Sequence, residues 1–333
     1  MKLIQTDKFS DSLRRKGIDL NNKKILVTRF SGSKQEKDFT VPANCNGLGR
    51  IRHFRRHAES IWVNPLPMDP AQKSLGLMSS GDIRAQVFQN AVCNWRCWYC
   101  YVDFDLLSGN QNHSEWVSAD DLIDLYLENV DRPDMIDLSG GQPDLVPEWT
   151  AWMIDALSRR GLADSVYLWS DDNLSNDYFF RFLTPNQIDK IASYPNYGRV
   201  GCFKGIDGES FEFNTQAESS IFERQFDIFR RLLDVGIDLY GYVTLTVPNG
   251  KNLKGKIDAF LDRLQSVHEN LPLRTVPLKI GIFTPVKERP QVGQAESLLN
   301  YQDEAIQFWR EAIDQRFSSE LIHTKISDIS LKK

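Results

Sequence analysis

No stretch of the 333 residues is apolar for long enough to cross a bilayer. The opening segment, MKLIQTDKFSDSLRRKG, is charged throughout and lacks the apolar core of a secretory signal. A cytoplasmic location is therefore expected, where thiols stay reduced. Cysteine is scarce at five residues, and an odd count argues against a disulfide framework. Low-complexity tracts and internal repeats are also missing, apart from a strand–helix rhythm. What remains, with 41% hydrophobic and 26% charged residues, has the composition of an ordinary globular protein rather than a disordered one.

The net charge of −5 conceals an asymmetry. Residues 1–80 hold 15 Lys and Arg against 7 Asp and Glu, a surplus of +8 that leaves −13 for the rest. The densest part is GRIRHFRRH, with Arg50, Arg52, Arg55 and Arg56. Such a patch could meet an anionic partner or substrate, including nucleic acid. The expectation favours pairing with the acidic body of the same chain, because solvated charge runs are common.

From about residue 82 strands and helices alternate. DIRAQVFQN is a first strand, followed by a helix near 118–131 with Ser118 as N-cap and Asp121 three residues on. MIDLS (135–139), SVYLWS (165–170), GRVGCFKG (198–205), DLYGYVTLTVP (238–248) and VPLKIGIF (276–283) are the next five strands. Helices near 147–160, 184–193, 218–235, 255–269 and 297–316 separate or follow them, with Thr184 and Pro185 opening one. Buried-type strands joined by crossover helices imply a parallel sheet curled by right-handed connections. The fold class expected is α/β, a (β/α)6 partial TIM-type barrel with a mixed N-terminal extension. Its divisions are a basic extension over 1–80, a barrel over 81–295, and a C-terminal helix and tail over 296–333. Within the extension KKILVTRF reads as a strand and WVNPLPMDP as a proline-stiffened connector. Functional groups should gather at the strand C-termini.

Three of the five cysteines, Cys93, Cys97 and Cys100, lie in AVCNWRCWYCY after the first strand, spaced C-x3-C-x2-C. Thiolates suit zinc and iron–sulfur clusters. Structural zinc usually takes four ligands built from two pairs, and no second pair exists here, since Cys45 and Cys202 stand alone. Three thiolates could instead hold three irons of a [4Fe–4S] cube and leave the fourth open. An isolated strand cysteine such as Cys202 is ordinarily a small buried hydrophobe.

C-x3-C-x-aromatic-C, with Tyr99 as the aromatic, after the first strand of a (β/α)6 barrel resembles the radical S-adenosylmethionine (radical SAM) superfamily. The resemblance implies a [4Fe–4S] cluster on the three cysteines and S-adenosylmethionine (SAM) chelated at the open iron. It further implies reductive cleavage to a 5′-deoxyadenosyl radical, hydrogen abstraction, oxygen sensitivity, and a low-potential donor such as flavodoxin or ferredoxin. SGGQP (139–143) matches the family's Gly-Gly-Glu-Pro-like turn for the SAM amino group, with Gln142 in place of Glu after Gly140 and Gly141. WSDDN (169–173) offers Ser170, Asp171 and Asp172 to the SAM carboxylate or ribose. Lys204 falls on the lysine of the glycyl-radical activases, although Cys202 replaces their aspartate. Val243 matches an adenine-packing strand, Tyr99 and Tyr101 stand as cofactor neighbours, and Trp95 and Trp98 as shields. No cysteine follows Cys202, so no auxiliary cluster is expected.

The function expected is a single-cluster radical SAM enzyme acting on an unidentified substrate, with an anionic nucleotide or nucleic acid favoured by the basic segment. Glycyl-radical activation of a protein is the alternative within the class. A non-catalytic iron–sulfur or metal-binding regulator is the alternative outside it.

Overall fold

The computed structural model describes residues 3–56, 64–78 and 81–332. His57 and the start of the WVNPLPMDP connector lie outside the described residues. Ten strands occur among the described residues. They are β1 (Ile18–Asp19), β2 (Lys24–Thr28), β3 (Gly49–Arg55), β4 (Asp82–Phe88) and β5 (Ser114–Ser118). The rest are β6 (Met135–Leu138), β7 (Tyr167–Asp172), β8 (Tyr197–Phe203), β9 (Leu239–Thr244) and β10 (Thr275–Leu278).

Seven of them form a curled half-barrel in the order β10-β9-β8-β7-β6-β4-β3. Six run parallel, which gives the (β/α)6 arrangement, and β3 adds antiparallel to β4 at the edge. All seven residues of β8 are buried, as expected of a parallel strand covered on both faces. Side chains on one face of the sheet, among them Ala85, Met135, Trp169, Cys202 and Tyr242, fill the barrel. Alternate positions such as Leu138, Phe203 and Val243 pack against the helices outside.

The helices begin where side-chain caps satisfy their first N–H groups. Ser118 and Asp121 form a reciprocal capping box for Ala119–Leu127, and Thr184 and Gln187 do the same for Pro185–Ser193. Helix Phe222–Asp234 turns Phe222, Phe226 and Phe229 inward at helical spacing. Two helices, Gly208–Thr215 and Phe222–Asp234, follow β8; the second is the helix expected over 218–235, entered through the 3-10 turn Ser219–Ile221, and the first was not expected. Asp207 caps the first of them through Ser210.

Two further differences bear on the site. The strand expected over 165–170 lies two residues later, as Tyr167–Asp172, so the SDD carboxylates belong to the strand itself. The densest arginine run is not a solvated patch but β3, paired from Gly49↔Phe88 to Arg55↔Asp82. Its polar pattern hid it, because Arg50 and Arg52 face the barrel while Arg55 is exposed.

The remaining three strands form a small antiparallel sheet, β1-β2-β5, beside the cysteine loop. KKILVTRF thus supplies β2, which pairs with β5 from the connection after β4. Helix Thr6–Gly17 lies against the same loop, and helix Ala295–Arg316 packs on helix Leu253–Val267 through Trp309 and Phe260.

Candidate functional site

The chain leaves β4 at Phe88 and enters the cysteine loop at once. Cys93, Cys97 and Cys100 are all free thiols, with Cys97 buried and the other two partly so. The loop is fixed by bonds from several directions. Cys93 N–H donates to the Leu107 carbonyl at 3.0 Å, and Trp98 N–H to that of Asn214 at 3.1 Å. Arg289 donates to the carbonyls of Cys97, Trp98 and Val102 at 3.1, 2.8 and 2.8 Å. Arg96 donates to the Cys93 carbonyl at 2.6 Å.

Both tryptophans of the loop are fully buried. Trp95 donates to Thr6 Oγ1 at 3.2 Å and meets Phe211 edge-on, while Trp98 donates to Asn214 Oδ1 at 3.0 Å. Each therefore anchors the loop while covering its back. Burial pushes the Cys97 thiol up to about 12, against the pull of the Lys204 ammonium. Burial likewise raises the Cys93 thiol. Metal loading must then displace protons.

Among the described residues no three His, Cys, Asp or Glu side chains are already drawn together as an ion cage. A cubane asks for something else, since each thiolate binds a different iron and the sulfurs need not converge on one point. Three free thiols on one short, pinned loop, with Lys204 facing Cys97 and Cys100, fit that requirement.

Behind the loop stands the glycine turn after β6. Gly140 and Gly141 have φ of +86° and +70°, the left-handed region that side chains disfavour. A Cβ on Gly141 would lie 2.2 Å from the Asn90 carbonyl oxygen, so the turn and the cysteine loop touch backbone to backbone. Gln142 closes the contact, its N–H donating to the Val92 carbonyl at 2.8 Å. Its side chain faces away from the thiols. Nε2 donates to Asp172 Oδ1 at 2.7 Å and Oε1 accepts from Asn173 N–H at 2.9 Å. Arg199 completes this buried network, making two bonds of 2.8 Å to Asp144 and standing 3.5 Å from Asp172.

Inside the barrel mouth a second set of side chains converges. Tyr99 reaches across to share a 2.8 Å hydrogen bond with Thr244. Asp137 is buried, accepts from Ser139 Oγ at 2.9 Å and lies 3.6 Å from Arg52. Asp171 accepts from Trp169 Nε1 at 3.1 Å. Burial, followed by the charge of Asp137, pushes the Asp171 carboxyl up to about 7, while Arg52 and Lys204 oppose the shift. Arg50 stands over the Tyr101 ring at 5.4 Å, and Tyr101 meets Phe283 edge-on. No carboxylate pairs with Lys204 among the described residues. Its ammonium is disfavoured by burial, yet Cys202, Tyr99 and the loop thiols hold its pKa well above the usual value.

The residues singled out by sequence thus divide into two layers. Cys93, Cys97, Cys100, Tyr99, Tyr101, Lys204 and Asp171 are together at the mouth. Ser170, Asp172 and Val243 lie on the helix-facing side, where Ser170 shares a 2.7 Å bond with Tyr197. Arg50 and Arg52 join the mouth, Arg55 is exposed, and Arg56 pairs with Asp69 outside it. Asp137, Thr244 and Arg289 were missed by sequence reasoning. Strand alternation counted from Asp171 and Lys204 would have pointed to the first two. Nothing local marks Arg289.

A cleft of about 810 Å³ lies at the opposite end of the barrel, bounded by Tyr167, Tyr194, Tyr240 and Arg274. It is remote from the thiols and strand C-termini.

No family model matches the sequence, and no curated protein matches it. Among solved structures the chain is similar to SuiB of Streptococcus suis bound to its precursor peptide SuiA. That match has 12% identity and a TM-score of 0.43, over 68% of this chain and 46% of SuiB. SuiB bound to S-adenosylmethionine matches with 12% identity and a TM-score of 0.38, over 65% of this chain and 46% of that one. The matched region is therefore less than half of SuiB. Spore photoproduct lyase complexed with dinucleoside spore photoproduct matches at 11% identity and a TM-score of 0.40, over 68% and 72% of the two chains. The chain is similar to SuiB and to the lyase over about two thirds of its own length.

Proposed function

We propose that the chain is a single-cluster radical SAM enzyme. The observation that carries this reading is the position of three free thiols on the β4 loop, against a left-handed glycine turn and at the polar mouth of a half-barrel. Cys93, Cys97 and Cys100 would hold three irons of a [4Fe–4S] cluster. Gly140 and Gly141 bring backbone close to that loop without side chains in the way. Tyr99, Tyr101, Lys204 and Asp171 line the space beyond it. Gln142, Ser170, Asp172 and Val243 support the site from the layer behind.

With cluster and SAM bound, the chemistry supplied is one-electron cleavage to a 5′-deoxyadenosyl radical that abstracts hydrogen. The chain's own work is to hold and exclude. Trp95 and Trp98 keep water from the back of the loop. The Tyr99–Thr244 bond fixes the aromatic ring across the mouth, and Lys204, which among the described residues pairs with no carboxylate, offers its cation to one. An external donor of the flavodoxin or ferredoxin type would supply the electron.

The test is anaerobic reconstitution with iron and sulfide, reduction, and assay of 5′-deoxyadenosine from SAM. Formation of the nucleoside supports the proposal. An intact cluster that neither binds nor cleaves SAM would sink it and leave the non-catalytic iron–sulfur reading.

A further inference from the structure

One buried cation at the mouth has no role in the function proposed above. Arg50 is 8% exposed, its Nε has no hydrogen-bond partner, and among the described residues no carboxylate lies within 4 Å of it. The Phe39 and Tyr101 ring centres each lie 5.4 Å from its guanidinium carbon, and the Tyr101 hydroxyl is a hydrogen-bond partner. A guanidinium withdrawn from water without a counter-charge is costly, and native structures seldom tolerate one without a purpose. Arg52, two residues along the same strand face, is one third exposed and shares its charge with Asp137 at 3.6 Å. Both project from β3, the edge strand that borders the open side of the barrel. The charges around this mouth are Arg50, Arg52 and Lys204 against Asp137 and Asp171, which leaves one cation in excess.

Lys204 is the cation that faces the loop thiols, whereas Arg50 stands over the Tyr101 ring and Arg52 over that of Phe54, 4.3 Å away. Two guanidinium forks on one strand face match the planar, multi-oxygen shape of an oxyanion. We infer that Arg50 and Arg52 form an oxyanion subsite, and that the molecule acted on carries a carboxylate or phosphate group docked there. That this molecule is a substrate rests on the enzymatic reading above. The subsite itself needs neither iron nor SAM.

The experiment titrates the full-length chain with inorganic phosphate in one arm and acetate in the other, by calorimetry at low ionic strength. Saturable binding of either anion is expected, and the tighter of the two identifies the group. Arg50→Gln should weaken binding at least tenfold and Arg50→Lys by less, while the exposed Arg55→Gln stays within twofold of the parent. Thermal melts establish that each variant is folded, and Arg52→Gln serves if Arg50→Gln is not. In the cluster-loaded protein, saturating SAM should leave the anion affinity within twofold. Absence of anion binding, equal binding by Arg50→Gln, or displacement by SAM would each overturn the inference. Anion binding that follows Arg50 in a protein unable to cleave SAM would sink the enzymatic reading alone.

Discussion

An amide at position 142 can do what a carboxylate in the same place could not. Gln142 donates to Asp172 with one end of its side chain and accepts from the Asn173 backbone with the other. Glutamate there would set two buried carboxylates face to face. Gln142→Glu should cost about 3 kcal/mol of stability, read from the denaturant midpoint, because an uncompensated buried charge replaces a hydrogen bond. Asp171 lends itself to a pH experiment. Its carboxyl is raised in the folded chain, so between about pH 4 and 7 the native state binds more protons than the unfolded one. That contribution is full below the unfolded value and is lost as pH rises through about 7. Asp171→Asn should therefore gain stability relative to the parent between pH 5 and 8 in paired denaturation curves. Cys97→Ala should abolish iron content while the apo-protein's melting midpoint stays within a few degrees, since the bonds with Arg289 and Asn214 that hold the loop reach its backbone and not that thiol.

Among the elements, strand β3 has the least typical composition. Its inward positions are Arg50, Arg52 and Phe54, and its outward ones Ile51 and His53, so the polarity is inverted from the usual half-buried strand. The six parallel strands were legible because their apolar runs are bounded by glycines and caps. Helix starts at Ser118 and Thr184 were legible for the same local reason. Ser118→Ala should cost about 1 kcal/mol, measurable in chemical denaturation, by removing one half of the capping box. The cysteines and the glycine turn could be read from spacing alone. Which face Ser170, Asp171 and Asp172 occupy could not, because a two-residue displacement of β7 decides whether those side chains belong to a loop or a strand. Asp137 and Thr244 escaped notice because each looks like an ordinary strand residue until its neighbours across the sheet are known.

At the scale of the whole molecule the basic N-terminal segment is tied into the body. Arg14 forms a buried pair with Glu148 at 2.5 Å, Thr6 accepts from Trp95, and Asn94 donates to Ser10 at 2.8 Å. Arg29 pairs with Glu115 and Lys34 with Glu288, so part of the surplus charge meets the acidic remainder as composition suggested. Arg50 is the departure from that pattern, since Arg52 meets Asp137. Removal of residues 1–17 leaves Glu148 and the loop's Asn94 and Trp95 without these partners. The truncated chain should lose several kcal/mol of stability, and its cysteines should react faster with a thiol reagent in timed labelling.

The clamp that Arg289 places on the cysteine loop has a consequence for how such a protein is made. In small metal-dependent domains the ion and the fold arrive together, and a chain starved of metal stays unfolded. Here guanidinium-to-carbonyl bonds shape the loop, and none of them uses a thiol. On the function proposed above, the chain would be synthesised, folded and stored while iron is short, then charged later. A cluster lost to oxygen would leave the socket ready for reloading.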